Sequence, residues 1–149
     1  MYLLDTNHCS RIIFGDFNLI QQLQTHSEAG IATSVVVCGE LLYMAAKSDQ
    51  SVANLQQVRG FLDTIDIYPI NLSISEGYGN LKGKLVNAFG PKEKAQRRNF
   101  NLQSLGFGDN DLWIAATAIY YNLTLVSTDN DFRRIQQVEM LTLESWLLS

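Results

Sequence analysis

Hydrophobic and polar positions along the chain alternate between short apolar runs and helical spacings. Tyr2-Leu3-Leu4 predicts an opening strand, followed by a helical stretch from about Ser10 to His26. Ile31–Ser34 predicts a second strand, and Ser34 is a ready N-cap for a helix through Val37, Glu40, Leu41, Met44 and Ala45. The β-branched run Val35-Val36-Val37 could instead prolong the strand. Leu55, Val58, Phe61, Leu62 and Ile65 recur at spacings of three and four, so Val52–Ile65 reads as a helix and Ile67–Ile70 as a strand. Ser73-Ile74-Ser75-Glu76 fits a capping box opening a helix to about Phe89. Residues 90–105 are polar, basic and weakly periodic, which predicts an exposed loop or short insertion. Asp109-Asn110-Asp111, with Asp109 as N-cap, starts a helix through Ile119 that is apolar nearly all round and therefore central. Thr124–Ser127 predicts a buried strand, Thr128–Asp131 a turn, Met140–Leu143 a last strand and Glu144–Leu148 a short helix.

Strands alternating with helices predict an α/β domain with a mostly parallel sheet and helices on both faces. In such sheets ligands sit outside the carboxyl ends of the strands, which says where to look for chemistry. The 149 residues suit one domain, 1–149, large enough to fold without a disulfide staple. Cys9 and Cys38 lack CxxC spacing and read as small buried hydrophobes in a reducing compartment. No apolar run is long enough to span a membrane and no secretory leader is evident, so a cytoplasmic protein without membrane contact is expected. Two histidines exclude a multi-His metal site, and GxSxG is missing.

Charge changes the picture locally. The net charge of −4 disfavours a nucleic-acid-binding surface overall, yet six of the eleven Lys and Arg residues fall between 82 and 98, opposed there only by Glu93. Lys92, Lys94, Arg97 and Arg98 are the candidates for holding a polyanion; a solvated helix face and loop is the bland alternative. The acids matter more. Asp5 follows the first strand, Asp129 follows the strand ending at Ser127, Asp111 sits in the first turn of the buried helix, and Glu40 lies two turns into the helix after the second strand. Each also has a purely structural reading: an Asx-turn for Asp5, the helix dipole for Asp111, a turn for Asp129 and Asp131. Glu40, surrounded by apolar neighbours, is the hardest to explain that way. If the four converge, their repulsion calls for a hard divalent cation, Mg²⁺ or Mn²⁺, and the chemistry points to metal-assisted hydrolysis of a phosphodiester.

These residues resemble the PIN-domain ribonucleases, and within them the VapC-type toxins of prokaryotic toxin–antitoxin pairs. Leu3-Leu4-Asp5-Thr6-Asn7 resembles the first motif of that family, and Thr33-Ser34-Val35 through Glu40-Leu41-Leu42-Tyr43 the second. Asn110-Asp111-Leu112-Trp113-Ile114-Ala115-Ala116-Thr117-Ala118 resembles the third, and Leu123-Thr124-Leu125-Val126-Ser127-Thr128-Asp129-Asn130-Asp131-Phe132 the fourth. The resemblance implies a three-layer α/β/α fold and divalent-metal-dependent endoribonuclease activity. It makes Asp5, Glu40, Asp111 and Asp129 the catalytic acids, with Asp5, Asp111 and Asp129 on the metal and Glu40 on it directly or through water. Asn7 and Thr128 would support them by hydrogen bonds. It also implies an RNA substrate, a cognate antitoxin and a homodimer, for which apolar residues of the 52–62 helix could supply a face. Asp131 is a second acid in the fourth motif; its place before Phe132 suggests a cap on the next turn, and Asp129 is favoured as the fourth acid. The stretch Phe89–Gly106 is longer than usual for the family, so no role carries over to it.

Two rivals remain at this level. One is a catalytically silent PIN-like module that binds RNA or a regulator, which would have no need of four acids. The other is an aspartate phospho-acceptor domain, against which stand the lone Asp5 after the first strand and the lack of any Lys after Arg98. A P-loop is excluded, because Gly79-Asn80-Leu81-Lys82-Gly83-Lys84-Leu85 has the wrong spacing and no Ser or Thr for Mg²⁺.

Overall fold

A computed structural model of the chain describes residues 1–147. Five parallel strands form its sheet: β1 (Tyr2–Leu4), β2 (Ile31–Ser34), β3 (Asp66–Tyr68), β4 (Thr124–Val126) and β5 (Leu143–Glu144), in the order β3-β2-β1-β4-β5. Neighbouring residues of β1 and β4 point to opposite faces, yet Leu3, Leu4, Leu125 and Val126 are all completely buried. Both faces of the sheet are therefore covered by helices, which makes this the expected three-layer α/β/α arrangement. The chain builds outward from β1 to β2 and β3, then returns to place β4 on the other side of β1. That reversal opens a crevice beyond the carboxyl ends of β1 and β4, where Leu4 pairs with Val126.

The helices are α1 (Thr6–Ile13), α2 (Phe17–His26), α3 (Val35–Ala46), α4 (Ser51–Leu62), α5 (Leu72–Phe89), α6 (Lys94–Arg97), α7 (Asp109–Tyr120) and α8 (Asn130–Ile135). Several boundaries depart from expectation. The first helix begins at Thr6 because Asp5 caps it, accepting the His8 N–H, and it breaks at Gly15, whose φ of +94° suits glycine; Asp16 then caps α2. Val35–Val37 are helical, because the Ser34 hydroxyl accepts the Val37 N–H and turns the chain out of β2. Asn71, two residues before the predicted cap, starts α5 by accepting from Ile74 N–H. Asp109 is not the cap of α7; Gly108 occupies that place, and Asp109 instead accepts from Tyr78 and Lys82.

The basic stretch is more ordered than a loop. It contains α6 and a 3₁₀ turn over Leu102–Leu105, and it sends Leu102 and Phe107 into the core. At the end of the chain the strand is β5, two residues long and later than predicted; residues 145–147 are not helical, and Leu148 lies outside the described residues. No helix among the described residues is long and apolar enough to cross a membrane.

Candidate active site

Four carboxylates from remote parts of the chain reach the crevice, and a fifth joins them. Asp5 leaves the end of β1 and is nearly buried; its backbone N–H donates to Val126 O at 3.2 Å, tying it to the end of β4. Its Oδ1 accepts the His8 backbone N–H and faces the His8 Nδ1, both at 2.8 Å, while the Ser127 hydroxyl donates to Oδ2. Ser127 Oγ in turn accepts the Asp129 N–H at 3.0 Å, so one buried serine positions two acids. Asp129 caps α8 by accepting the Asp131 N–H at 2.9 Å. This reverses the capping role expected for Asp131, which lies in the first turn with its Oδ1 3.1 Å from the Arg134 guanidinium.

Glu40, two turns into α3, is held from two sides. Thr6 donates its hydroxyl to Oε2, and the Asn110 amide donates to Oε1 at 2.8 Å. Asp111 sits in the first turn of α7. Burial first, and then the charges of Asp129, Glu40, Asp131 and Asp5, push its carboxyl up to about 7. The other four acids thus all bear on the charge of Asp111. One oxygen each of Asp111, Asp129 and Asp131 lies within 4.8 Å of the others, a separation a single hard cation can bridge. Asp5 and Glu40 stand outside that trio, and Asp131 is within it.

The structural and chemical readings of these acids do not exclude each other: Asp5 and Asp129 cap helices and also line the crevice. The expected bracing by Asn7 and Thr128 is different in detail. Among the described residues the side chain of neither makes a hydrogen bond, and Asn7 only accepts the Ser10 hydroxyl at its backbone carbonyl; Thr6 and Ser127, each one position earlier, make the contacts. Sequence reasoning also passed over His8, Asn110 and Arg134. His8 stood next to the first motif, and Asn110 opened the third without being given a role. Nothing in the spacing marked Arg134, which bonds Leu105 O at 2.6 Å and lies over the Phe107 ring at 4.0 Å, fastening the basic stretch to the acid crevice.

The profile of the family described as PIN domain matches residues 2–138. The chain belongs to the PIN-domain family. Ribonuclease VapC2 of Rickettsia felis is 29% identical over 153 residues, covering 98% of both chains. The tRNA(fMet)-specific endonuclease VapC of Shigella flexneri is 25% identical over 145 residues, covering 97% of both. Among solved structures, VapBC2 from Rickettsia felis bound to a DNA fragment from their promoter superposes with a TM-score of 0.75 at 30% identity, over 97% of this chain and 98% of that one. The resemblance drawn from the four motifs is thereby confirmed, and the PIN match takes in every acid of the crevice.

Of the basic residues in this PIN domain, Lys82 pairs with Asp109 and Lys84 with Glu139. Arg97 donates to Pro91 O at 2.6 Å and to Asn87 Oδ1 at 2.8 Å, which makes it a strut of the segment rather than an unengaged cation. Among the described residues no hydrogen bond or ion pair engages the exposed Lys92, Lys94 and Arg98. The 52–62 helix does not offer the apolar face expected of it, since Val58 and Leu62 are buried and Val52 alone is an exposed large apolar residue. Exposed apolar side chains lie instead around a groove of about 460 Å³ beside Glu40, where Val35, Tyr43 and Ile70 meet Asn110 and Trp113.

Proposed function

We propose that this chain is a divalent-metal-dependent endoribonuclease of the VapC type, the toxin of a toxin–antitoxin pair, acting in the cytoplasm as one PIN domain over residues 1–149. The observation that carries this reading is the meeting of five carboxylates at the carboxyl edge of the sheet, in a chain whose end-to-end relatives are named as ribonucleases. The donor set fits a hard cation: it is all oxygen and anionic, and among the described residues Arg134 on Asp131 is the one basic side chain paired with a crevice acid apart from His8 on Asp5.

Asp111, Asp129 and Asp131 would hold Mg²⁺ or Mn²⁺, with Asp5 as a further ligand and Glu40 acting directly or through water. The ion supplies positive charge that polarises the scissile phosphate and makes water a stronger acid. The chain does the rest. Ser127 fixes Asp5 and Asp129 in register, while Thr6 and Asn110 each hold one oxygen of Glu40. Lys92, Lys94 and Arg98 attract the RNA backbone outside the crevice, so that an anionic polymer tolerates an anionic site. A homodimer would form through the groove of Val35, Tyr43 and Ile70, and the antitoxin would be a separate chain.

The test is cleavage of single-stranded RNA with Mn²⁺, with chelator and by Asp5→Asn. Cleavage is expected only in wild type with metal, and chelator-resistant cleavage would sink the proposal. Co-expression with the adjacent open reading frame tests the antitoxin; recovery of the chain alone, with no suppression of its activity, removes that part.

A further inference from the structure

His8 is completely buried, and among the described residues its ring has one polar contact: Nδ1 faces Asp5 Oδ1 at 2.8 Å, while Nε2 has no partner. An enclosed ring nitrogen without a partner is unfavourable, and an apolar side chain of similar size would fill the same space without that penalty. Packing therefore does not explain a histidine here. Its contact with Asp5 does. Oδ1 is an acceptor that already takes the His8 backbone N–H, so Nδ1 carries the proton and donates it. Those two donors fill both lone pairs of Oδ1. Oδ2 accepts once, from Ser127, and keeps one lone pair. The terminal torsion of an aspartate is otherwise broad, so an unclamped carboxylate could turn either oxygen, or both, toward the crevice.

We infer that His8 is a positioning residue that locks the Asp5 carboxylate so that Oδ2 alone is left to reach a divalent cation in the crevice. This rests on the reading of Asp5 as a ligand given above. The histidine needs to be at this position because an N-cap carboxylate and the third residue of the helix face each other across the first turn.

The experiment measures Mn²⁺ affinity of the full chain without RNA, by calorimetry or by the signal of free Mn²⁺ in electron paramagnetic resonance, beside the melting temperature. His8→Leu is expected to melt at or above the wild-type temperature and to bind Mn²⁺ roughly 10–100-fold more weakly, the usual effect of losing a group that orients a ligand. His8→Asn, whose amide nitrogen can take the place of Nδ1, is expected to bind within about threefold of wild type. Wild-type affinity in His8→Leu overturns the inference, as does weakened binding in both variants that tracks lost melting temperature. Should His8→Leu fail to fold, His8→Gln carries the test: its donor falls nearer the Nε2 position, and affinity equal to His8→Asn overturns the role. Asp5→Asn separates the two levels. If it binds Mn²⁺ as wild type does, Asp5 is not a ligand and both readings fall; if it binds weakly while His8→Leu does not, only the role of His8 falls.

Discussion

The acid crevice and the basic stretch from Lys82 to Arg98 carry opposite charge and are built in opposite ways. In the crevice, Asp5, Glu40, Asp129 and Asp131 are each held by at least one named donor, on elements that begin or end at the sheet. In the basic stretch half of the cations are spent on internal contacts, and Lys92, Lys94 and Arg98 project from a short helix and its flanks. The difference follows from what each charge must do. Ligands of a small cation have to be placed to within about half an ångström, which needs rigid elements and hydrogen-bonded supports. Attraction of a polyanion acts over roughly a Debye length, about 8–10 Å at ordinary salt, and tolerates mobile side chains. The crevice is thus expected to be intolerant of single substitutions, and the basic stretch to respond only to several at once.

The sharpest break is Asp111→Asn. Asp111 stands among all four other acids, so removing its charge should cut RNA cleavage by about 10³-fold or more, in line with losing a central metal-site group. Cleavage within tenfold of wild type, measured at saturating Mn²⁺, would place the chemistry elsewhere. Ser127→Ala comes next. It takes a hydrogen-bond donor from Asp5 and an acceptor from the Asp129 N–H without touching a ligand atom, and roughly 10–100-fold weaker Mn²⁺ binding is expected. An unchanged affinity would show that the crevice is not braced as the hydrogen bonds imply.

The metal-free protein gives a third, smaller effect. The Asp111 carboxyl lies near 7 in the folded chain against about 3.9 in an unfolded one. Its folded pKa is raised, so the stability it contributes is full below about pH 4 and is lost as the pH rises through about 7. With chelator present, wild type should lose about 1–2 kcal/mol across that window, after allowance for partial solvation, and Asp111→Asn should not. At pH 8 the variant should therefore melt roughly 3–6 °C higher, and Mn²⁺ should reverse the order. Equal pH profiles for the two proteins in thermal melts would mean that the carboxylates do not strain the apo fold.

How much of this could be read beforehand divides along the same line. The strands and the acids at their ends were legible, because short apolar runs mark β1, β2 and β4, and a residue that follows a strand end has a known place. Glu40 was legible because a carboxylate amid Val35–Leu42 needs a reason. The break at Gly15 was not, since the apolar spacing continues across it and only a positive φ reveals the turn. Asn71 displaced Ser73 as a cap because two good capping residues lay within one turn, and propensity does not choose between them. The supports escaped for a different reason. Thr6 on Glu40, Ser127 on Asp5 and Arg134 on Leu105 O span 34, 122 and 29 residues, and no local pattern encodes a single contact over such distances.

The mildest prediction probes the tolerant half. Lys92, Lys94 and Arg98 each have no side-chain partner among the described residues, so exchanging any one for Glu should alter cleavage by less than about threefold under ordinary salt, as expected of a solvated charge. Changing all three reverses the sign of the patch and should raise KM by roughly 3–10-fold while leaving kcat unchanged, since no catalytic group moves. The salt dependence is the sharper reading. If the three meet phosphates of a single strand, losing them should flatten the plot of log(kcat/KM) against log salt by about 2, from about 0.7 per contact. Arg97→Glu belongs beside this set as a contrast, because Arg97 braces Pro91 and Asn87. It should lower the melting temperature by several degrees, in keeping with about 1.5–3 kcal/mol for hydrogen bonds to a charged group. A triple variant with an unchanged slope would leave the basic stretch as a solvated face, and the crevice would have to draw its RNA by other means.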